Sequence, residues 1–464
     1  MLRLLALLLL ASAALAEDPE LEARARLDAL RAEIVAVEAQ SSATAPAELA
    51  ALKAKLPVAE AEVEVEVLRK KLEALAPRKF KHGVKVAFQS DAEFKEYLLV
   101  QMDKEFPADK AEGMQAAWSA FGLLPEGLDL RGTLVEALVS QAAAYYDPEQ
   151  DTFFVVKKIP ALMAGPIYLH ELQHAIQDQV LGLDTIMKAA VATGNEDRQQ
   201  AVRFLFEGEA TYLMNLYALG PMGRDPKKAA SALEMSLRMM AEMPLETMMQ
   251  MTQGSAEMMG EDMKESMEAA QKIPRYILRT LYDAYFRGAY AIHKVMAAKG
   301  WEGVDALFAS PPASTELLLH PEKLLAAERD EPKEVALPDL SGALGARLYE
   351  STLGEASILI LLTDQLGKRD QEQGKAAAAG WGGDRFAAYK SDGGKIVLAW
   401  LTVWDSEEDA VQFQEAYTKA AAARNDARNW PEARVERRGA AVAILEGVRG
   451  PDGGLLQALL GKGN

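Results

Sequence analysis

The chain reads as a predominantly helical α+β protein, and three patterns predict it. Stretches rich in Ala, Leu, Glu, Lys and Arg repeat apolar residues at helical spacing, most clearly from residue 17 to about 75. Short β-branched and aromatic runs interrupt them, at Asp151-Thr-Phe-Phe-Val-Val-Lys157 and at Lys395-Ile-Val-Leu-Ala-Trp-Leu-Thr-Val-Trp404. Turn residues punctuate the transitions, as at Tyr146-Asp147-Pro148 and Ser391-Asp-Gly-Gly394.

Taken in order, residues 1–16 carry the marks of a secretory signal: Met1-Leu2-Arg3, an apolar run through Leu10, and the small-residue end Ala14-Leu15-Ala16, with cleavage expected after Ala16. The mature chain is then expected outside the cytoplasm, secreted or periplasmic. No other stretch is long and apolar enough to anchor it in a membrane. The chain of 464 residues has no cysteine, which excludes disulfides and thiol-linked lipid and leaves stability to a buried core. A net charge of -18 argues against nucleic-acid or anionic-membrane partners and is explained by solubility.

Residues 17–77 read as two helices broken at Ser41-Ser42-Ala43-Thr44-Ala45-Pro46, folded back as a hairpin or projecting as a short coiled coil. A helical spacer is preferred to a propeptide. Residues 78–337 read as a central domain that opens with the strand Gly83-Val-Lys-Val-Ala-Phe88 and continues with helices around 93–106 and 114–121. Within it, residues 167–181 form an amphipathic helix: Pro166 suits its first turn, Gly182 its end, and Leu169, Leu172, Ile176 and Val180 its buried face. A further helix runs from Asn195 as cap to Gly220 as stop. Residues 338–464 read as a small antiparallel α+β domain with a helix over 355–366, strands over 385–389 and 395–404, a helix from Ser406 to about 422 and a strand near 440–445. This part holds no histidine and is assigned no chemistry. Trp381-Gly382-Gly383-Asp384-Arg385 reads there as a turn with a local ion pair.

The chemistry lies in His170-Glu171-Leu172-Gln173-His174. Two imidazoles four residues apart on a helix face the same way and can hold one zinc ion, while Glu171 reaches toward a metal-bound water. Catalytic zinc takes three protein groups, so a third ligand is needed. Phe206-Glu207-Gly208-Glu209-Ala210-Thr211 offers two candidates, which lie on roughly opposite faces of one helix. The small residues beside Glu207 would let its face approach the histidine helix, which favours Glu207. Glu209, among Val202, Leu205, Tyr212 and Leu216, is the alternative, since metal would relieve the cost of an apolar setting.

H-E-L-Q-H followed by E-G-E-A resembles the gluzincin class of zinc peptidases, the thermolysin-like and aminopeptidase-N-like enzymes. That resemblance implies a zincin-like catalytic domain, one Zn2+ per chain held by His170, His174 and Glu207, Glu171 as general base, and a peptide or protein substrate. It also implies that the strand before the histidine helix keeps an edge on which an extended substrate can pair. A closer likeness, over residues 145–417, is to a group of exported, uncharacterised bacterial metallopeptidases. It rests on His170-Glu-Leu-Gln-His-Ala-Ile-Gln-Asp-Gln179, Glu207-Gly-Glu-Ala-Thr211, Tyr285-Phe-Arg-Gly288, Pro311-Pro-Ala-Ser-Thr-Glu316 with His320-Pro321, Trp381-Gly-Gly-Asp-Arg385 and Trp404-Asp405.

Other candidates fill supporting roles. His320, beside a chain break and in a recurrent motif of that group, is named as the donor to a developing oxyanion; a core or surface histidine is the alternative. Tyr168, Tyr212 and Tyr285 are core aromatics or alternative donors, and Asp178 is a carboxylate that would orient His174 or a solvated acid at the helix end. His82 reads as solvated and His293 as a helix-face residue. Methionines crowd residues 235–267, as helical core and interface filler or as a Cu(I) site. Against the hydrolase stand two other classes: an exported helical binding or scaffold protein, and a methionine-rich copper-handling protein.

Overall fold

The computed structural model describes residues 18–39, 45–156, 161–251, 268 and 270–461. The expected signal at 1–16 and the methionines between 252 and 267 lie outside them. In chain order the elements are α1 (Pro19–Glu38), α2 (Ala45–Leu75), β1 (Lys85–Phe88), α3 (Asp91–Glu105), α4 (Ala108–Ala120), α5 (Leu130–Gln141), β2 (Ala144–Asp147), β3 (Thr152–Val155) and α6 (Ala161–Ile176). A π-helical turn (Gln177–Leu181) leads to α7 (Leu183–Ala192), α8 (Glu196–Ala218), α9 (Pro226–Glu242), α10 (Arg275–Ala309), α11 (Glu316–Leu319), α12 (Pro321–Leu325) and α13 (Ser341–Leu344). The last part comprises β4 (Ala346–Ser351), α14 (Gly354–Gln365), α15 (Gln371–Ala378), β5 (Trp381–Lys390), β6 (Ile396–Trp404), α16 (Glu407–Ala427), β7 (Arg434–Arg438), β8 (Ala441–Glu446) and α17 (Leu455–Leu459). The protein is thus a mostly helical α+β chain. Among the described residues no helix is long and apolar enough to cross a membrane.

Contacts divide the chain into two units. The first takes residues up to Phe94, Ala142–Asp184 and Ala210–Ala232; the second takes Lys95–Gln141, Thr185–Glu209 and everything from Leu233. The division falls inside α8, which contributes residues to both.

In the first unit α1 and α2 fold back on each other. Ala23 and Leu27 of α1 meet Val63 of α2, and Ile34 and Val37 meet Leu52, so early residues pair with late ones. Exposed pairs such as Arg31–Glu60 (2.9 Å) and Lys53–Glu38 (2.8 Å) run along the seam. Exposed pairs of this kind add little, and the apolar seam holds the hairpin. Beyond it lies a three-stranded sheet of order β1-β3-β2, with β1 parallel and β2 antiparallel to β3. The strand expected to offer an edge, β3, is therefore central, and β2 is an outer strand. The hairpin between them is closed by Asp147, whose Oδ1 accepts from the backbone N–H of Glu149 (2.8 Å) and Gln150 (3.3 Å).

The second unit is built on an antiparallel sheet of order β4-β5-β6-β8-β7. β5 and β6 are covered by α14 and α16, and Trp381, Trp400, Trp404, Phe386 and Phe413 fill the space between. Trp404 stacks on Phe413 at 4.4 Å, and Phe121 meets Trp400 edge-on at 5.0 Å. Ser406 and Asp409 form a capping box at the start of α16. Arg424 of α16 is buried against Glu446 of β8, which also accepts from Tyr417 (2.7 Å) and Asn425 (2.8 Å), so the buried charge is hydrogen-bonded on several sides. β4 and β7 are additional to the strands read from the sequence; their polar, half-exposed residues hide the alternation that marks a strand.

One helix contact in this unit sets the later geometry. Gly208 of α8 lies against Gly288 of α10: a Cβ built on Gly208 would stand 2.3 Å from the Gly288 carbonyl carbon, and one on Gly288 would stand 2.2 Å from the Phe204 carbonyl oxygen. Gly208 thus admits α10, whereas the sequence reading had its smallness serve the histidine helix. Gly208→Ala or Gly288→Ala is expected to destabilise the fold by about 1–3 kcal/mol through overpacking, outweighing the roughly 1 kcal/mol that alanine gains in helix propensity. Chemical denaturation measures this, and an unchanged or raised midpoint would count against the contact.

Candidate metal centre

Two of the sequence-derived ligands, His170 and His174, stand together in the first unit, and Glu207, the third, falls in the second. The histidines stand on α6, where Leu169, Leu172 and Ile176 are fully buried and fix the opposite face. Pro166 sits inside α6 rather than in its first turn, because the helix begins upstream at Ala161. Glu207 stands on α8, half-buried, while Glu209 is fully buried.

The two Nε2 atoms of His170 and His174 approach to 3.2 Å. Ring nitrogens this close need a shared proton or a shared cation between them. Nδ1 of His174 lies 2.8 Å from the side-chain oxygen of Gln177, so Nδ1–H donates there and Nε2 is the nitrogen that carries the lone pair, as a metal ligand requires. Two imidazoles on one helix face, one with its tautomer fixed by a partner, are donors that zinc takes. The histidines present fit the ion.

Gln177, not Asp178, therefore orients His174. Asp178 instead accepts from the Tyr146 hydroxyl at 3.1 Å, and Asp151 accepts from the same hydroxyl at 3.0 Å. The cause is local: the helix widens to a π turn at Gln177–Leu181 before stopping at Gly182 (φ 75°), which rotates each side chain away from its α-helical direction. Tyr146 also reaches the motif through its backbone, since its N–H donates to Glu171 Oε2 at 3.3 Å. The tether links the motif glutamate to strand β2. Burial, followed by the acids around it, pushes the Tyr146 hydroxyl well above its ordinary range, so it stays a donor.

The remaining candidates are placed as follows. His320 gives its Nε2 to Glu355 Oε1 at 2.7 Å; that hydrogen bond raises the imidazole pKa against the opposing effect of burial. Tyr168 packs edge-on against Phe153, and Tyr212 is buried, which pushes its hydroxyl up to about 12. His82 is exposed beside Asp151 (3.3 Å). His293 is buried on its helix and pairs with Glu234 at 2.9 Å; burial lowers its pKa. Met235 and Met239 are exposed one turn apart on α9, so these two are not core filler. Glu316, Asp330 and Asp405 form a group of close carboxylates. Lys323 already sits among them, 2.5 Å from Glu316, 2.6 Å from Asp330 and 3.5 Å from Asp405, and supplies the positive charge.

The outlying motifs converge inside the second unit on the start of α14. Asp384 is no turn residue with an ion pair: it lies in β5, buried, and accepts from the N–H groups of Leu353 and Gly354 (2.9 Å each) and the indoles of Trp381 (3.0 Å) and Trp400 (2.9 Å). Thr315 donates its hydroxyl to Asp197 and accepts from Ala356 N–H at 3.1 Å. Sequence reasoning assigned no role to Gln177, Tyr146 or Glu355. Gln177 was findable, three residues beyond His174; Glu355, thirty-five residues from His320 along the chain, carried no local signal.

Burial pushes the Asp197 carboxyl up to about 8, with the nearby acids Asp384 and Glu355 adding to it and hydrogen bonds from Thr315 opposing. Between the ordinary carboxylate range near 4 and that value, the folded chain holds a proton that the unfolded chain releases. Its stabilisation is complete below the lower limit and is lost as pH rises through the upper one. Asp197→Asn is therefore expected to gain in stability relative to the native chain between pH 5 and 8. Denaturant midpoints at both pH values check this; a difference that does not grow with pH would show that Asp197 is ionised throughout.

A family model described as a domain of unknown function (DUF8575) matches residues 343–459, the segment that holds the five-stranded sheet and α14. No curated protein and no solved structure gives a significant match to the chain.

Proposed function

We propose that this chain is an exported zinc-dependent metallopeptidase with a zincin-like catalytic domain. The observation that carries the reading is the approach of His170 and His174 to 3.2 Å with Glu171 between them on the same helix. His170, His174 and Glu207 would hold the ion. When bound, zinc supplies Lewis-acid polarisation of a carbonyl and lowers the pKa of water toward neutrality. Glu171 takes a proton from the water that attacks the peptide carbonyl and returns it to the leaving amine. Its hydrogen bond to Tyr146 N–H keeps the carboxylate beside β2, the outer strand on which an extended peptide would lie. His320 is the candidate donor to the developing oxyanion; with Nε2 held by Glu355, it donates from Nδ1 in its imidazolium form, which that hydrogen bond favours.

Elemental analysis of the purified protein tests the site. About one zinc per chain is expected, lost in His174→Ala and Glu207→Ala and retained in Glu209→Ala. Gln177→Ala should weaken zinc affinity by roughly 10–100-fold, the usual cost of removing a partner that orients a ligand. Glu171→Gln should keep zinc and lose peptide cleavage. Folded protein that neither contains zinc nor takes it up would overturn the proposal, as would a zinc-loaded Glu171→Gln variant that cleaves at the native rate.

A further inference from the structure

A cleft of about 400 Å³ opens within the second unit, walled by α10, α14 and α15. Its charges are not evenly matched. Toward the rim, Arg275 pairs with Glu246 (2.6 Å) and Asp364 (3.2 Å), and Lys375 pairs with Glu372 (2.7 Å). Deeper in, Asp283 Oδ1 accepts from Arg287 Nε (3.1 Å) and lies 3.0 Å from Arg279 Nε in an ion pair, so two guanidiniums share one buried carboxylate. His320 and Glu355 face each other at 2.7 Å. Around Asp283 one positive charge is locally in excess, whereas Arg275 faces two acids. Arg279 gives an Nη to the Met243 carbonyl (3.0 Å), whereas among the described residues Arg287 is bonded through Nε and not through its Nη groups. Leu245, Leu359 and Ile360 give the same cleft an apolar wall.

We propose that this cleft takes a carboxylate of the substrate, held by the Nη fork of Arg287, with the aliphatic part of the ligand against Leu245, Leu359 and Ile360; the word substrate rests on the peptidase reading above. A planar fork matches a carboxylate in a two-point contact. A doubly charged phosphate fits less well, because Asp283 and Glu355 are close by and the surplus around Asp283 is a single positive charge. The position is apt as well. Arg287 directly precedes Gly288, and Glu207 directly precedes Gly208, so the cleft arginine and the third candidate metal ligand flank one helix contact. The Tyr285-Phe-Arg-Gly288 motif thereby gains a physical reading: glycine for the contact, arginine for the cleft.

The carboxylate comes either from a peptide C-terminus or from an acidic side chain, and three small probes separate the sources. N-acetyl-leucine carries only a terminal carboxylate, N-acetyl-glutamic acid α-amide only a side-chain one, and N-acetyl-leucinamide none. Binding to the full chain is measured calorimetrically, before and after zinc is stripped with a chelator. At least one acid is expected to bind roughly tenfold more tightly than the amide, the order expected for a charge-assisted pair of hydrogen bonds. The acid that binds better identifies the source. The preference should survive chelation, disappear in Arg287→Gln and persist in part in Arg287→Lys, which also guards against a glutamine variant that fails to fold. Equal binding of acids and amide, indifference to both substitutions, or loss of acid binding on chelation would overturn the proposal. Zinc-free protein that still binds acids through Arg287 keeps the cleft and removes the peptidase; zinc-loaded protein that binds neither acid keeps the peptidase and removes the cleft.

Discussion

The contact between Gly208 and Gly288 is the constraint on which the rest of the site depends. Two helices can bring their backbones this close only where neither carries a Cβ, and the sequence supplies glycine on both. Phe206 and Phe308 close the same helix pair at a ring distance of 5.2 Å, so the approach is backed by apolar packing. The functional side chains are the neighbours of these glycines. Glu207 and Arg287 owe their places to residues that have no side chain at all.

A second constraint is the handling of buried acid. Asp384 is an ordinary carboxylate put into a core of tryptophans, an expensive arrangement unless its oxygens are filled. Two backbone N–H groups and two indoles fill them, and in doing so join the first turn of α14 to strands β5 and β6. Glu355 follows directly in that turn, so the hydrogen bond that holds His320 is indirectly held by the sheet. Lys323 solves the same problem differently, by placing an ammonium among Glu316, Asp330 and Asp405. The segment matched by the family of unknown function is therefore tied by its own hydrogen bonds to residues well outside it, such as Thr315 through Ala356.

Much of this was legible in the sequence because the signals were local. The H-E-x-x-H spacing carries its own geometry, since 3.6 residues per turn place both imidazoles on one face whatever surrounds them. The two faces of α8 separated Glu207 from Glu209 by the same rule, and the alternation and caps of residues 385–422 exposed β6 and α16. What was illegible was long-range or irregular. No periodicity announces that Asp384 will meet the start of α14, or that Thr315 will meet Asp197, because neither partner is near in the chain. Pro166 misled on the start of α6, because proline suits a first turn and here stands within the helix. β3 was read as a strand, but its central position depends on β1, which arrives from more than sixty residues upstream.

The π turn after His174 has a consequence for how this motif is compared between proteins. Such a turn accommodates one more residue than an α-helix would fit into the same length. Counting forward from the histidines in α-helical steps therefore assigns the wrong direction to residues 177–181, and would give Asp178 the task that Gln177 performs. An aligned sequence one residue shorter in this turn would keep both histidines and yet lose the amide beside them. The length of this turn, more than the letters within it, is the character by which kinship at the site should be judged.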